Sequence, residues 1–156
     1  MTVNPIPPGY HSVTPYLIID GAARAIEYYT HAFGATELFR LGAGDSIAHA
    51  EIRIGDSNIM LADEQPDCGF LAPKAGGNSI SLMIYVEDCD AVFNRAVELG
   101  ATVREPLDNK FYGDRAGQIA DPFGHVWTIA THVEDVPEDE LTRRMQAFTE
   151  SMGGGA

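Results

Sequence analysis

The sequence predicts an α+β fold built from two βαβββ modules that follow one another along the chain. The first observation is an internal repeat: "YLIIDGAARAIEYYTHAFGATEL" from Tyr16 and "LMIYVEDCDAVFNRAVELGATVRE" from Leu82 both give an apolar strand, an acidic turn, an amphipathic helix and Gly-Ala-Thr. The second is that three strand-like segments follow each helix, and the third is a Pro/Gly-rich stretch between the two copies. Each module would therefore contribute one helix and four strands.

Both helices are predicted from apolar stripes with a period of 3.6 residues. The first stripe consists of Ala22, Ala25, Ile26, Tyr29 and Phe33, and the second of Ala91, Val92, Ala96 and Leu99. Asp20 and Asp88 are placed to cap the helix starts, and Gly34 and Gly100 stand just past the ends, where a left-handed residue satisfies the last carbonyls.

The strands are predicted from apolar alternation bounded by turn residues. In the first module they are "TELFRL", "SIAHAEIRI" and "NIMLAD", with a tight turn at Gly55-Asp56-Ser57 between the last two. In the second they are "ATVREP", "GQIAD" and "HVWTIAT", with Asp121-Pro122-Phe123-Gly124 as the equivalent turn.

The domain boundaries follow from these elements. Residues 1–13 are predicted to be a loose leader, and residues 14–135 one domain, with modules at 14–63 and 79–132 and a linker at 64–78. Residues 136–156 are predicted to form a C-terminal helix and a tail, the helix carrying a stripe of Leu141, Met145, Phe148 and Met152. The stripe requires a surface, which could belong to the same domain or to a second copy of the chain.

The charge balance excludes several partners. Acidic residues outnumber basic ones 23 to 10, for a net charge of −13, which repels phosphate backbones and anionic headgroups. We expect no nucleic acid and no membrane partner, since no segment approaches the roughly 20 apolar residues of a bilayer span. Cys68 and Cys89 have no metal-like spacing and the N-terminus has no signal pattern, which favours a reduced, cytoplasmic protein.

Paired βαβββ modules and the segment "FYGDRAGQIADPFGHVWTIATHVED" resemble the vicinal oxygen chelate superfamily, which includes glyoxalase I, extradiol dioxygenases and bleomycin resistance proteins. The chain is most similar to PhnB-type glyoxalase-like proteins, over about residues 14–135. The resemblance implies a cup-shaped mixed sheet with the helices on its convex face and ligands in its concavity. It also implies a homodimer, and leaves open whether modules pair within a chain or between chains.

The resemblance also implies where a metal would be held. Four His or Glu ligands would fall on Thr14, Met60, Ser81 and Thr128, none of which is a good metal ligand. We therefore predict no metal cofactor, although a divalent metal at a displaced site stays open.

His49 and Glu51 are a candidate reaction centre on the polar face of their strand. They lie two residues apart, about 7 Å along the strand, and could form an acid/base pair, a displaced metal site, or a buried polar pair that Arg53 completes. His125 in the turn is predicted to donate to nearby backbone, while His11 and His132 lie outside the strand interiors and His31 is predicted to be solvated.

The segment "NKFYGDRAG" from Asn109 is a second candidate. Tyr112 could stack on a ligand ring and Arg115 could attract an anionic group, with the Gln118 amide pointing into the cup. The alternative is a structural loop fastened by an Asp114–Arg115 ion pair or by hydrogen bonds from Arg115 to carbonyls.

Three functions remain possible. The first is a small-molecule-binding protein without a metal, resembling drug-sequestering members of the superfamily. Its ligand-binding residues would be Thr14, Tyr16, Met60, Ser81, Met83, Tyr85, Tyr112, Arg115, Gln118 and Thr128. The second is a lyase, isomerase or dioxygenase-type enzyme using His49 and Glu51, and the third a dimeric interaction module without a ligand. The sequence identifies neither the ligand nor a reaction.

Overall fold

The computed structural model describes residues 3–74 and 78–153 and has the predicted α+β architecture. Two four-stranded mixed sheets each carry one helix, and a third helix follows near the C-terminus. The chain divides into two compact units between Asn78 and Ser79, with the turn residues Pro122–His125 assigned to unit 1 rather than to unit 2.

Unit 1 contains the first βαβββ module. Its sheet has the order β1-β4-β3-β2, with β1 parallel to β4 and the other neighbours antiparallel. The elements are β1 (Tyr16–Ile19), α1 (Ala22–Phe33), β2 (Thr36–Ala43), β3 (Ser46–Ile54) and β4 (Ser57–Asp63). The core lies between α1 and one face of this sheet, where Tyr29, Ile52 and Leu61 are completely buried.

The N-terminus of α1 is capped by a residue distant in sequence. Asp20 was predicted as the cap, but the N-cap residue is Gly21, at φ +96°, and it makes no side-chain capping bond. Instead Asp63, the last residue of β4, accepts hydrogen bonds from the Ala22 amide at 2.8 Å and from the Ile47 amide at 2.7 Å. One carboxylate therefore joins α1, β3 and β4.

A bulge in β3 explains an irregularity in its apolar pattern. The pairing passes from Leu41 with His49 to Gly42 with Ile47, so Ala48 is an extra residue on β3. The bulge shifts the alternation by one position, which buries both Ile47 and Ala50 and leaves Ala48 exposed.

Unit 2 contains the second module, with the sheet order β5-β8-β7-β6. The elements are β5 (Leu82–Tyr85), α2 (Cys89–Glu98), β6 (Thr102–Asn109), β7 (Asp114–Ala120) and β8 (Val126–His132). Strand β7 begins three residues earlier than predicted, so Asp114 and Arg115 are strand residues rather than loop residues. Ile80, just before β5, is 74% exposed.

Helix α2 shares only the buried Ala96 with the predicted stripe. Cys89, Phe93 and Ala96 are buried, whereas Ala91 and Leu99 are exposed. Both stripes have helical spacing, but the buried stripe contains the large Phe93 side chain. The Phe93 ring packs directly against Gly117 of β7 and fills the space that a side chain at position 117 would occupy. The Asp88 cap is confirmed by its bond from the Ala91 amide at 3.1 Å.

The predicted C-terminal helix is α3 (Glu138–Gly153). Its contacts in unit 2 include the Phe148 ring against Phe111, 5.1 Å between centroids, and Arg144, which donates to the Phe111 carbonyl and forms two hydrogen bonds with Glu134. Leu141 is half-buried, whereas Met145 and Met152 are 50% and 69% exposed. A homodimer that would cover this stripe stays a prediction.

The two connecting segments are partly ordered by contacts. The leader has no helix or strand between Val3 and Pro15, yet the Tyr10 hydroxyl donates to the Glu51 carboxylate. The linker contains one 3-10 turn, Pro66–Cys68. The predicted leader residues 1–2, linker residues 75–77 and tail residues 154–156 lie outside the described residues. Within residues 3–74 and 78–153, no helix combines the length and apolar character needed to cross a bilayer.

Candidate functional site

The face of the unit 1 sheet opposite α1 carries a row of paired side chains. Tyr16 pairs with Met60, Met60 with Glu51, and Glu51 with Phe39, so these four residues cross all four strands side by side. Cross-strand partners share a face of the sheet, so the row brings predicted residues from three different strands together. Tyr16 and Phe39 are each 47% exposed, and this row forms the floor of the candidate site.

Four polar side chains form a continuous hydrogen-bonded chain on this face. Tyr10 donates to Glu51 Oε1, and Glu51 Oε2 lies 2.9 Å from His49 Nε2. His49 Nδ1 lies 2.8 Å from the Tyr16 hydroxyl. We call Tyr10, Glu51, His49 and Tyr16 the relay.

The directions of these bonds follow from the donor and acceptor capacity of an ionised carboxylate and of one imidazole tautomer. An ionised carboxylate only accepts, so both Tyr10 and His49 Nε2 donate to Glu51. A neutral imidazole that donates from Nε2 has a lone pair on Nδ1, which accepts the proton of the Tyr16 hydroxyl. Arg53, predicted as a possible third member, instead donates to the Gly55 carbonyl at 3.1 Å.

Beside the relay is a depression of about 230 Å³ within unit 1. Its walls are mainly aromatic and aliphatic, with one amide and one carboxylate. The lining residues are Tyr16, Ile18, Ala48, Ala62, Asp63, Gln65 and Phe70. Tyr16 therefore belongs both to the relay and to the depression. The bulged Ala48 contributes directly to the lining, and Phe70 comes from the linker.

The polar centre of unit 2 is the buried Asp114, only 3% exposed. Its carboxylate accepts from the Tyr85 hydroxyl at 2.9 Å and from His132 Nδ1 at 2.8 Å, while His132 Nε2 lies 2.7 Å from Asp135 Oδ1. The bond to Asp114, together with burial, raises the pKa of Tyr85 above its ordinary value of 10.0. Tyr85 is thus held by a structural carboxylate.

Arg115 does not pair with Asp114, and the predicted ion pair between them is wrong. Arg115 forms a bidentate bond with Asp90 of α2, with Nε to Oδ1 at 2.6 Å and Nη2 to Oδ2 at 2.9 Å. The two neighbours project to opposite faces of β7 because they are consecutive in a strand. The Arg115 guanidinium lowers the pKa of Asp90, and Asp90 in turn raises the pKa of Arg115.

The other predicted ligand-binding residues have these positions. In unit 2, Met83 pairs with Thr128 and Thr128 with Gln118, whose amide lies 3.4 Å from the Thr128 hydroxyl. Ser81 is exposed ahead of β5, and Tyr112 is 38% exposed beside Phe111. In unit 1, Thr14 is half-buried just before β1. Their binding roles stay predictions.

Within residues 3–74 and 78–153, no group of three or more His, Cys, Asp or Glu side chains is arranged so that it could hold a metal ion. Both His49 nitrogens are engaged by protein partners, Nε2 by Glu51 and Nδ1 by Tyr16. The predicted contact of His125 with backbone is present, as its Nε2 lies 3.1 Å from the Ile18 carbonyl oxygen.

His132 is expected to make stability pH-dependent. Hydrogen bonds to Asp114 and then to Asp135 raise the pKa of His132 above 6.5, so the folded state favours the imidazolium. This stabilisation is fully present below the unfolded-state pKa and disappears as pH rises through the raised folded-state pKa. His132→Asn should therefore lower the free energy of unfolding more at about pH 5.5 than at about pH 9, as urea denaturation would measure.

The matched control for this experiment is His11→Asn. His11 is exposed, and no ion pair joins it to a carboxylate in the described part of the chain. We expect the control to show no such loss confined to low pH. An equal effect of His132→Asn at both pH values would contradict the charge-dependent role.

Tyr10, Phe70 and Asp114 are among the site residues that sequence reasoning missed as participants. Tyr10 and Phe70 lie in segments assigned to a leader and a linker, so the strand alternation could not place them. Asp114 was noted only as a partner of Arg115. Its partners Tyr85 and His132 are distant in sequence, so no local signal marks it as buried.

Comparisons with known proteins agree with this architecture. The family model "Glyoxalase/Bleomycin resistance protein/Dioxygenase superfamily" matches residues 10–129. An uncharacterized Mycobacterium bovis protein, Mb0911c, is 40% identical over 149 residues, which cover 92% of this chain and 95% of that protein.

Two solved structures have folds similar to that of this chain. Protein PA1353 from Pseudomonas aeruginosa superimposes with a TM-score of 0.65 at 26% identity, over 80% of this chain and 99% of that one. A putative 3-demethylubiquinone-9 3-methyltransferase, PhnB protein, from Bacillus cereus superimposes with a TM-score of 0.61 at 19% identity, over 78% of this chain and 99% of that one. The second likeness extends the shared fold to a PhnB protein.

Proposed function

The chain belongs to the glyoxalase/bleomycin resistance protein/dioxygenase superfamily, and on that premise we propose that it binds a small, planar, uncharged or cationic organic molecule without a divalent metal. The ligand would occupy the depression in unit 1 and lie against Tyr16 and Phe70. The single observation that carries the proposal is the composition of that lining, which is aromatic and aliphatic with one amide and one carboxylate.

The size and shape of the depression support a ligand of one or two rings. At about 230 Å³ it is slightly smaller than a typical drug-sized pocket of roughly 300 Å³ or more. Phe70 and Tyr16 are 52% and 47% exposed, so each has a ring surface that a ligand could cover. Aromatic pairs of this kind favour flat ligands in stacked or edge-to-face contact.

The charge of the lining supports discrimination against anions. Asp63 is its only charged residue, and the neighbouring Glu51 carries a second carboxylate. The chain as a whole carries a net charge of −13. A carboxylate or phosphate ligand would meet two like charges and no compensating cation among the lining residues, whereas a cation would also gain from the Tyr16 and Phe70 ring faces.

Three matched naphthalene probes test this proposal at neutral pH. They are 2-naphthylmethanol, which is neutral, 2-naphthylmethylamine, which is cationic, and 2-naphthoate, which is anionic. We expect saturable binding of the first two in titration calorimetry and an affinity for 2-naphthoate that is at least about tenfold lower, because a carboxylate would be desolvated beside Asp63. Equal or tighter binding of the anion would contradict the proposal.

A pair of adjacent residues locates the binding site. Phe70→Ala removes an aromatic wall and should weaken binding of 2-naphthylmethanol by about fivefold, corresponding to a lost contact of about 1 kcal/mol. Leu71→Ala is the matched control, because Leu71 is equally exposed at 53% but does not line the depression. If both variants bind as the parent does, the ligand lies elsewhere.

A further inference from the structure

We propose that Tyr16 is the acid/base group of a metal-independent proton-transfer centre, with His49 taking the proton that Tyr16 releases. This inference rests on the proposed function, because the substrate would occupy the same depression. Its basis is the relay geometry: Tyr16 lines the depression with its ring and contacts His49 Nδ1 with its hydroxyl, 2.8 Å away. No residue outside unit 1 is required.

The relay has the arrangement of an activated nucleophile or base. A hydroxyl contacts an imidazole nitrogen, and a carboxylate holds the other nitrogen in the required tautomer. The Glu51 oxygen at 2.9 Å from His49 Nε2 also stabilises the imidazolium that forms when Tyr16 passes its proton to Nδ1. Here the terminal group is a phenol, which can return the proton as a general acid.

Partial burial strengthens these interactions. The His49 and Glu51 side chains are 25% and 21% exposed, and the rings of Tyr16 and Phe39 lie 5.5 Å and 6.3 Å from the imidazole ring. Electrostatic interactions are stronger in such surroundings than in water. Tyr16 is more open, at 47% exposed, as a group that meets a substrate must be.

Tyr10 acts as a positioning residue in this centre. Its hydroxyl donates to Glu51 Oε1 and leaves Oε2 to accept from His49. Both carboxylate oxygens of Glu51 therefore accept a hydrogen bond, and a rotation of the carboxylate away from His49 would break both bonds. A residue of the leader thus orients a group on β3.

The substrate class follows from the lining. It is a neutral planar compound with an acidic C–H bond, since the depression is aromatic and lacks a cation that would bind an anionic group. In the step, the C–H proton moves to the Tyr16 oxygen while the Tyr16 proton moves to His49 Nδ1. The electron pair of the C–H bond stays with the substrate, whose negative charge the imidazolium balances. His49 then releases its proton to water.

The probe for this step is 5-nitrobenzisoxazole, a neutral planar bicycle that fits the depression. Removal of its C3 proton turns the C–H electrons into the third bond of a nitrile, breaks the N–O bond and releases a coloured phenolate, with no oxidant or co-reactant. We expect saturable turnover above the buffer rate. Tyr16→Phe and His49→Gln should each lower kcat by about tenfold to a hundredfold, because general base catalysis supplies effects of that order.

Matched variants separate proton transfer from folding and binding. Tyr28→Phe is the control for Tyr16→Phe, because Tyr28 is a buried tyrosine of α1, which packs on the opposite face of the unit 1 sheet from the relay. Glu51→Gln and Tyr10→Phe should lower kcat more than they change KM, and Glu51→Gln should also move the midpoint of the pH–rate profile to lower pH. A residue with a merely structural role would move neither the midpoint nor kcat selectively.

The outcomes distinguish the inference from the proposed function. Saturable binding of 5-nitrobenzisoxazole, with turnover lost in Tyr16→Phe and His49→Gln but kept in Tyr28→Phe, supports both. Saturable binding with no turnover above buffer, or turnover unchanged in Tyr16→Phe, overturns the inference and leaves the proposed function standing. Failure of the parent protein to bind this probe and the neutral naphthalene probe contradicts both.

Discussion

Gly113→Ala is expected to lower the free energy of unfolding by about 4 kcal/mol. Gly113 has φ +101°, which L side chains rarely adopt, and a Cβ there would lie 2.2 Å from the Glu134 carbonyl oxygen. The Gly113 carbonyl also accepts from the amides of Val133 and Glu134, at 2.9 and 3.0 Å, so the two backbones cannot separate without losing these bonds. Urea denaturation would measure the change.

Gly44→Ala is the matched control for the contribution of φ alone. Gly44 has φ +61°, but a Cβ there would meet nothing within 4 Å. We expect a loss of about 1 kcal/mol, arising from the backbone conformation. If Gly113→Ala costs no more than Gly44→Ala, the close approach to Glu134 is not the reason for glycine in "YGDRAG".

The second large effect is expected at Asp63. Asp63→Ala removes the acceptor of the Ala22 and Ile47 amides, and hydrogen bonds to charged groups contribute roughly 1.5 kcal/mol or more each, so the loss should be about 3 kcal/mol. The change also removes the cap of α1 and a support of the bulge at Ala48. We expect weaker binding of 2-naphthylmethanol as well, because Ala48 and Asp63 both line the depression.

Two further substitutions serve as a partial-loss variant and as a control for Asp63→Ala. Asp63→Asn keeps one acceptor oxygen and should lose about half as much stability. Asp56→Ala removes an exposed carboxylate that accepts only from its neighbour Ser57 and should change stability by less than about 0.5 kcal/mol. Equal losses for Asp56→Ala and Asp63→Ala would show that net charge, rather than the two amide bonds, explains the effect.

Local patterns in the sequence were sufficient for the elements of the fold. The repeat, the turn residues, the strand alternation and the C-terminal apolar stripe predicted the eight strands and three α-helices found within residues 3–74 and 78–153. The boundary of β3 at Ser46–Ile54 coincides with the predicted segment. These features follow from backbone geometry within a few residues, which the chain carries locally. The cap at Asp88 is of the same kind, because its partner amide is three residues away.

Partners distant in sequence limited the prediction of the site. His49, Glu51 and Tyr16 were identified as candidates, but the alternation could not show that Tyr16 and His49 contact each other or that Tyr10 holds Glu51. It could not show that Arg115 selects Asp90 over its neighbour Asp114 either. Each of these contacts depends on strand register or on a segment without regular structure.

The sequence by itself determined the number, type and order of the elements, and the absence of good metal ligands at the four positions that the family resemblance implies. Only the tertiary structure decided which polar groups meet, namely the relay across β1 and β3 and the long-range cap by Asp63. It also decided that α2 buries the face that contains Phe93. The physical reason is that the helical and strand periodicities are visible within a few neighbouring residues, whereas a hydrogen bond to a side chain 33 or 41 positions away forms only when tertiary packing brings the two segments together.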